Sequence, residues 1–361
     1  YLSRLDLHAV RNLETTRLQL HDGVVLVTGD NGSGKTSLLE AIWLLGTGRS
    51  FRSARIAPMI RYGVDSLTVY GEVRAADGRC RGLGITRQRA GDMAIRIDGE
   101  RVRSASVLAE ALPVQLMHPE SVEIVSGSPG RRRQFIDWGV FHVEHAFIED
   151  WKAFRRSLEQ RNALLRTAGA SEQEFESWEL RLAEAATAVD GHRGRYVAAL
   201  QDALEQSLDD LAGPDAVQIG YLPGWDREQS LSELLRRQRQ ADREAGYTRV
   251  GPQRAELRLV AAGRRAAEVL SRGQQKVLAC ALLVAQDRLL AEARGSAGVI
   301  LVDDLPAELD AEHRQRLGAA LGALDAQVIM TAVQADLVLD GLEAVRQLDM
   351  FHVEQGRIVP R

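Results

Sequence analysis

Gly29-Asp30-Asn31-Gly32-Ser33-Gly34-Lys35-Thr36 is the stretch from which the rest of this chain can be read. Its glycines and its closing Lys-Thr match the P-loop pattern in full. Val24-Val25-Leu26-Val27 before it is a β-branched apolar run that predicts a buried strand. After it, Leu38, Leu39, Ala41, Ile42, Leu44 and Leu45 recur at helical spacing. In a strand, glycine loop and helix, the loop backbone can wrap a phosphate chain. The loop N–H groups and the helix N-terminus supply donors and partial positive charge. Lys35 is expected to pair with the β- and γ-phosphates of ATP, a catalytic role as well as a binding one, and Thr36 to hold Mg²⁺ through its hydroxyl. The alternative is an ordinary glycine turn before a helix, and the two flanking elements favour the nucleotide.

A second apolar run, Gly298-Val299-Ile300-Leu301-Val302, ends in Asp303-Asp304. Two carboxylates at the carboxyl end of a buried strand lie where α/β sheets present ligands. Asp303 is expected to face Mg²⁺, and Asp304 is the catalytic candidate that orients or deprotonates the attacking water. The plainer alternative is a pair of acids that end a strand and cap the next segment.

The whole chain has 361 residues, which favours two lobes over one. Its 45% hydrophobic and 27% charged content is that of a globular protein. No apolar run approaches the roughly 20 residues of a membrane span. Arg4, Asp6, Arg11, Glu14 and Arg17 interrupt the first twenty positions, leaving no uninterrupted apolar core for a signal peptide, so a cytoplasmic location without a membrane partner is expected. The chain begins at Tyr1 without an initiator methionine, and a few preceding residues are expected. Cys80 and Cys280 have no ligand or redox spacing and are expected to be small buried residues. With a net charge of −4, binding to a polyanion would have to come from local basic patches.

Along the chain, residues 66–103 alternate and carry hairpin turns at Asp77-Gly78 and Asp98-Gly99-Glu100, predicting a β-rich edge. Between 131 and 211 the aromatic and aliphatic residues recur at near-helical spacing, which predicts a helical insert. A long apolar helix is predicted over 268–290, before the acidic strand. The expected fold is α/β: a discontinuous P-loop ATPase head from 1–118 and 250–361, and a mainly helical insert lobe from 119–249.

Leu270-Ser271-Arg272-Gly273-Gln274-Gln275-Lys276 lies just before that apolar helix and resembles the signature of ABC-type ATPases. By itself it reads as a helix start, because Ser271 and Gln274 have capping-box spacing. The order P-loop, signature, acidic strand is nevertheless the ABC order, and Glu308-Leu309-Asp310 follows as a D-loop would. The resemblance implies that Ser271, Arg272, Gly273 and Gln274 act in trans on ATP bound by a second copy. ATP binding would then drive a homodimer that hydrolysis releases. Arg272 stands where glycine is commonest, and Asp304 where most ABC proteins carry glutamate. That side chain is one methylene shorter, which suggests slow turnover. Val328-Ile329-Met330-Thr331-Ala332-Val333 offers no histidine for the sensing role known in many ABC ATPases, and Gln115 is not assigned as the Q-loop glutamine.

Lys35 and Ser271 are 236 positions apart, too far for a transporter ATPase, and no heptad coil of the SMC kind fits the sequence. Val10-Arg11-Asn12-Leu13, Gly48-Arg49-Ser50-Phe51-Arg52-Ser53, His118-Pro119-Glu120, Ser126-Gly127-Ser128-Pro129, Tyr221-Leu222-Pro223-Gly224-Trp225, Gly251-Pro252-Gln253-Arg254 and Asp303-Asp304-Leu305-Pro306-Ala307-Glu308-Leu309-Asp310 occur in an order that resembles the RecF family. Gln253 departs from the histidine expected there. The resemblance implies a compact ABC head without a long coiled coil and a weak, DNA-stimulated ATPase. It also implies binding to gapped DNA and single-strand/double-strand junctions, with RecR and RecO as partners in loading RecA during repair, replication and the SOS response.

Arg131, Arg132 and Arg133 are candidate DNA-phosphate contacts, as are Arg236-Arg237 and Arg264-Arg265, although charge runs on helices are often solvated faces. Few aromatics lie among these clusters, so contact with a duplex backbone fits them better than base stacking. Two other readings are a transporter ATPase subunit, which should copurify with a membrane partner, and a small-molecule kinase, which should pass phosphate to an acceptor other than water.

Overall fold

The computed structural model describes residues 1–75, 77–304, 309–342, 345 and 347–361, with the backbone alone at Leu337. The chain divides into two compact units. One comprises Tyr1–Ser121, Gln206–Gly213 and Lys276–Arg361, and the other Val122–Glu205 and Pro214–Gln275. Residues 250–275 therefore cluster with the second unit, whereas their sequence pattern had placed them with the first. The strand Glu256–Ala261 accounts for this by pairing antiparallel with Gln218–Leu222.

The first unit holds two six-stranded sheets. One runs in the order Arg357–Pro360, Leu348–Glu354, Val24–Thr28, Gln327–Ala332, Val299–Val302 and Val114–Met117. All its neighbours are parallel except the Arg357–Pro360 edge. Val24–Thr28, Gln327–Ala332, Val299–Val302 and Val114–Met117 are buried at every position, which explains why Val24-Val25-Leu26-Val27 and Val299–Val302 read as unbroken apolar runs. The other sheet is antiparallel, in the order Thr16–Gln19, Leu2–His8, Ser66–Arg74, Cys80–Gln88, Met93–Ile97 and Glu100–Val102. Asp98 and Gly99, at φ 52° and 87°, form the two-residue hairpin expected there.

The helix Lys35–Thr47 packs on strands of both sheets and buries nearly every side chain, as an all-round apolar helix must. Leu38, Leu39, Ile42, Leu44 and Leu45 join one core cluster with Leu5, Leu67, Ile85, Val25 and Leu301. Each such burial contributes about 1.5–3 kcal/mol, so the P-loop is anchored by a deeply packed helix.

The second unit is mainly helical: Pro129–Val143, Phe147–Arg166, most of the 39-residue Glu172–Asp210, and Leu231–Ala245, beside a three-stranded sheet. Arg161 is fully buried and donates to Glu179 (3.1 Å), Asp242 (2.8 Å), Thr248 (2.8 Å) and the Leu235 carbonyl (2.9 Å). A guanidinium so satisfied fixes the register of the helices that supply its partners. The helix predicted over 268–290 is two helices, Ala266–Val269 and Arg272–Arg294, separated at Leu270-Ser271. Among the described residues, no helix is long and apolar enough to cross a membrane.

Candidate nucleotide site

The P-loop leaves the carboxyl end of Val24–Thr28 and turns into Lys35–Thr47. Gly29 and Gly34 sit at φ 153° and 126°, and each is confined as well as left-handed. A Cβ on Gly29 would stand 2.3 Å from the Val353 carbonyl oxygen, and one on Gly34 would stand 2.7 Å from Leu13. Lys35 is buried, and its ammonium donates to the carbonyls of Gly29 (2.8 Å) and Asp30 (3.2 Å) inside the loop's own concavity. The Ser33 hydroxyl is buried in the same loop without a hydrogen-bond partner among the described residues. A cationic donor and an unspent hydroxyl within a cradle that admits no Cβ at Gly29 or Gly34 fit a polyphosphate.

Parallel pairing brings the end of Val299–Val302 to this loop. Thr36 Oγ1 donates to Asp303 Oδ1 at 3.0 Å, and Thr331 Oγ1, from the adjacent strand, donates to the same oxygen at 3.0 Å. The Asp304 N–H donates to Thr331 Oγ1, also at 3.0 Å. Burial pushes the Asp303 carboxyl above its usual range, the two threonine hydroxyls oppose that shift, Asp304 adds to it, and Arg52 opposes it. A desolvated carboxylate beside a threonine hydroxyl is a hard-oxygen donor pair. It fits Mg²⁺, which commonly takes one or two protein ligands and completes its octahedron with water and phosphate oxygens. Asp304 adopts φ 46°, a left-handed conformation that Asp tolerates better than most residues. Its Thr331 bond fixes the backbone there.

Three contributors had no role assigned from the sequence, although Arg11 and Asn12 lie in the Val10-Arg11-Asn12-Leu13 stretch that resembles the family. Asn12 donates to the carbonyls of Gly32 (3.2 Å) and Ser33 (3.1 Å) and accepts from Ser37 (3.2 Å), bracing the loop from outside. Thr331 lies in the strand that offers no histidine, and its hydroxyl links both acidic residues. Arg11 holds the fully buried Glu40 of the P-loop helix, at 2.5 and 2.9 Å.

Gln115 is buried and donates to Gln286 at 3.0 Å. Glu308, with Leu305, Pro306 and Ala307, lies outside the described residues, while Asp310 caps the helix Ala311–Ala323 by accepting from the His313 N–H. Cys280 is buried, as expected, and its thiol is pushed up to about 12 by desolvation; Cys80 is exposed instead.

In the second unit, Ser271 and Gln274 form the reciprocal capping box. The Ser271 N–H donates to Gln274 Oε1 (2.9 Å), and the Gln274 N–H to Ser271 Oγ (3.3 Å). Ser271, Arg272, Gly273 and Gln274 are all exposed. Arg131, Arg132 and Arg133 do not make one patch. Arg132 is buried, paired with Glu256 at 2.6 and 2.9 Å, and bonded to the Gly127 carbonyl, so it is not placed to meet a phosphate. Arg133 donates to the Ala255 carbonyl. Arg131 is half-exposed in an ion pair with Glu123. Arg236, Arg237, Arg264 and Arg265 are exposed.

A family model described as the RecF/RecN/SMC N terminal domain matches residues 1–358. The DNA replication and repair protein RecF of Stutzerimonas stutzeri (strain A1501) is 46% identical over 357 residues, covering 99% of this chain and 96% of that protein. RecF of Pseudomonas aeruginosa (strain UCBPP-PA14) is 45% identical over the same length, covering 99% and 97%. Among solved structures, the recombination mediator protein RecF-ATP in the RecFOR pathway superposes with a TM-score of 0.88 at 26% identity, over 100% of this chain and 97% of that one. An Smc head bound to the C-winged helix domain of ScpA gives 0.61 at 15% identity, over 100% and 97%, a likeness of fold alone.

Proposed function

The chain belongs to the RecF family, and from that premise we propose an ATP-switched DNA-binding protein that acts at single-strand gaps and junctions. It is a DNA replication and repair protein with an ATP-binding head of the ABC/SMC type. The observation that carries the reading is the chain of hydrogen bonds Thr36–Asp303–Thr331–Asp304, which joins the phosphate loop to both acidic residues.

Lys35 turns from the Gly29 and Asp30 carbonyls to the β- and γ-phosphates. Thr36 and Asp303 would hold Mg²⁺, which would supply charge neutralisation on those phosphates. Asp304 orients a water whose oxygen bonds to the γ-phosphorus as the bond to the β–γ bridging oxygen breaks. The water's proton passes to the Asp304 carboxylate or to the departing phosphate, leaving ADP and inorganic phosphate. The short reach of aspartate keeps turnover weak, and DNA raises it.

Ser271, Arg272, Gly273 and Gln274 present an exposed, capped helix N-terminus, which suits the γ-phosphate held by a second copy. ATP therefore joins two heads and hydrolysis separates them. By the order of its motifs the head is assigned to 1–118 and 250–361 and the insert lobe to 119–249, a division by motif rather than by packing, since residues 250–275 pack with the second unit; Arg131 is the exposed member of the basic run available to duplex backbone. By family, RecR, RecO and RecA act with the protein at gaps, in the cytoplasm, during repair and the SOS response.

ATP turnover tests this reading, measured alone, with blunt duplex and with gapped duplex, for the parent, Lys35→Ala and Asp304→Asn. The expected result is slow turnover that gapped DNA accelerates and both substitutions abolish. Full activity in Asp304→Asn, or the same rate with and without DNA, contradicts it.

A further inference from the structure

Residues 49–64 carry Arg49, Arg52, Arg55 and Arg61 and no Asp or Glu, in a chain whose net charge is −4. Arg49, Arg52 and Arg55 are exposed, and among the described residues none is in an ion pair. The stretch ends in a tight turn in which the Val64 N–H reaches the Arg61 carbonyl at 3.4 Å and Gly63 takes φ 82°. A glycine with positive φ at the third position of a four-residue turn lets the second position point outward. That position is Tyr62, which is 98% exposed, the most exposed large hydrophobic residue of the described chain.

The turn is fixed from beneath. Arg89 donates to the carbonyls of Ala57 (3.3 Å), Arg61 (2.9 Å) and Val64 (3.0 Å), and the Arg61 guanidinium donates to the carbonyls of Arg11 and Leu13. Carbonyl bonds orient these guanidiniums without neutralising them, so their charge remains available to an anion. Arg11, Asn12, Pro58, Arg61, Tyr62 and Arg89 line a shallow pocket of about 520 Å³, with Ala57 and Ile60 on its apolar floor. Asn12 also holds the Gly32 and Ser33 carbonyls, so the pocket adjoins the P-loop.

We propose that the Tyr62 turn and its arginine-rimmed pocket bind an unpaired nucleotide of single-stranded DNA, the base stacking on Tyr62 and the flanking phosphates meeting Arg61 and Arg89. The phenol face offers stacking that a duplex, whose bases are already stacked, cannot use. Arg49 and Arg55 upstream, exposed and in no ion pair among the described residues, provide the electrostatic track that non-specific single-strand sites combine with aromatic platforms. Through Asn12, an occupied pocket bears on the loop that holds ATP. The inference rests on the DNA-binding reading above and identifies where the gap itself is sensed.

Fluorescence anisotropy of the full chain with ATP and Mg²⁺ tests it, using labelled oligo-dT, blunt duplex and gapped duplex with the parent, Tyr62→Ala and Tyr62→Trp. Tyr62→Ala is expected to weaken oligo-dT and gapped duplex about ten-fold. Blunt duplex affinity should change less than about two-fold, and Tyr62→Trp should bind at least as well as the parent. Because Tyr62 is 98% exposed, thermal stability should not change. Unchanged oligo-dT binding by Tyr62→Ala, or an equal loss on blunt duplex, overturns the site while the DNA-binding reading survives. A parent that binds none of the three DNAs overturns that reading and the site with it.

Discussion

Thr36 and Asp303, 267 positions apart, share a hydrogen bond of 3.0 Å that brings the phosphate loop and the acidic strand end into one site. Neither residue defines the site alone. Thr331 supplies the second donor to the same carboxylate oxygen and fixes the Asp304 backbone.

Thr331→Val keeps the shape of the buried strand and removes only the hydroxyl. It leaves the Asp304 N–H unpaired and Asp303 with one donor fewer, a cost of about 1–3 kcal/mol. Thermal unfolding should register that loss, and ATP turnover should fall about ten-fold. Parental turnover in this variant means that Thr331 is only a strand residue.

Asn12→Ala removes the brace on the Gly32 and Ser33 carbonyls. With each hydrogen bond worth about 0.5–1.5 kcal/mol, ATP affinity measured by calorimetry should fall about five- to ten-fold. The melting temperature should move little, because Asn12 lies outside the apolar cluster.

Asp287 is buried in Arg272–Arg294, with neither carboxylate oxygen hydrogen-bonded among the described residues, and burial drives its carboxyl well above the ordinary 3.8. Below about pH 4 both folded and unfolded chains hold this proton, so it has no effect on stability. As pH rises, the unfolded chain releases the proton first, and stability falls until the raised folded value is passed. Asp287→Leu should therefore stabilise the protein at pH 7 by about 1–3 kcal/mol, an advantage that shrinks toward pH 4. Thermal melts across that range decide it, and a gain independent of pH would show that packing, not charge, is responsible.

Arg132→Ala and Arg131→Ala should fail in different ways. The first breaks a buried pair with Glu256 and lowers the melting temperature. The second leaves stability intact and reduces the salt dependence of duplex binding by about one unit of slope. Equal effects of both on DNA binding would argue against this division.

The strands Val24–Thr28 and Val299–Val302 and the helix Lys35–Thr47 were legible in the sequence because burial on all sides writes an unbroken apolar pattern beside the P-loop and the acidic pair. The Ser271–Gln274 cap was legible because its two partners are three residues apart. Asn12 and Thr331 were not, since their roles depend on partners brought close only by the folded sheet. Arg132 reads in the sequence as a candidate DNA-phosphate contact because its true partner, Glu256, is 124 positions away. Tyr62 stood out only once its exposure and the arginines beneath it were known.

Light scattering of the purified protein with ATP and Mg²⁺, with and without gapped duplex, tests the central claim most directly, comparing the parent with Lys35→Met and Ser271→Arg. The account predicts that ATP doubles the mass of the parent and that either substitution abolishes the change. If Ser271→Arg dimerises like the parent, the exposed capping box is only a helix cap and the shared nucleotide site is contradicted.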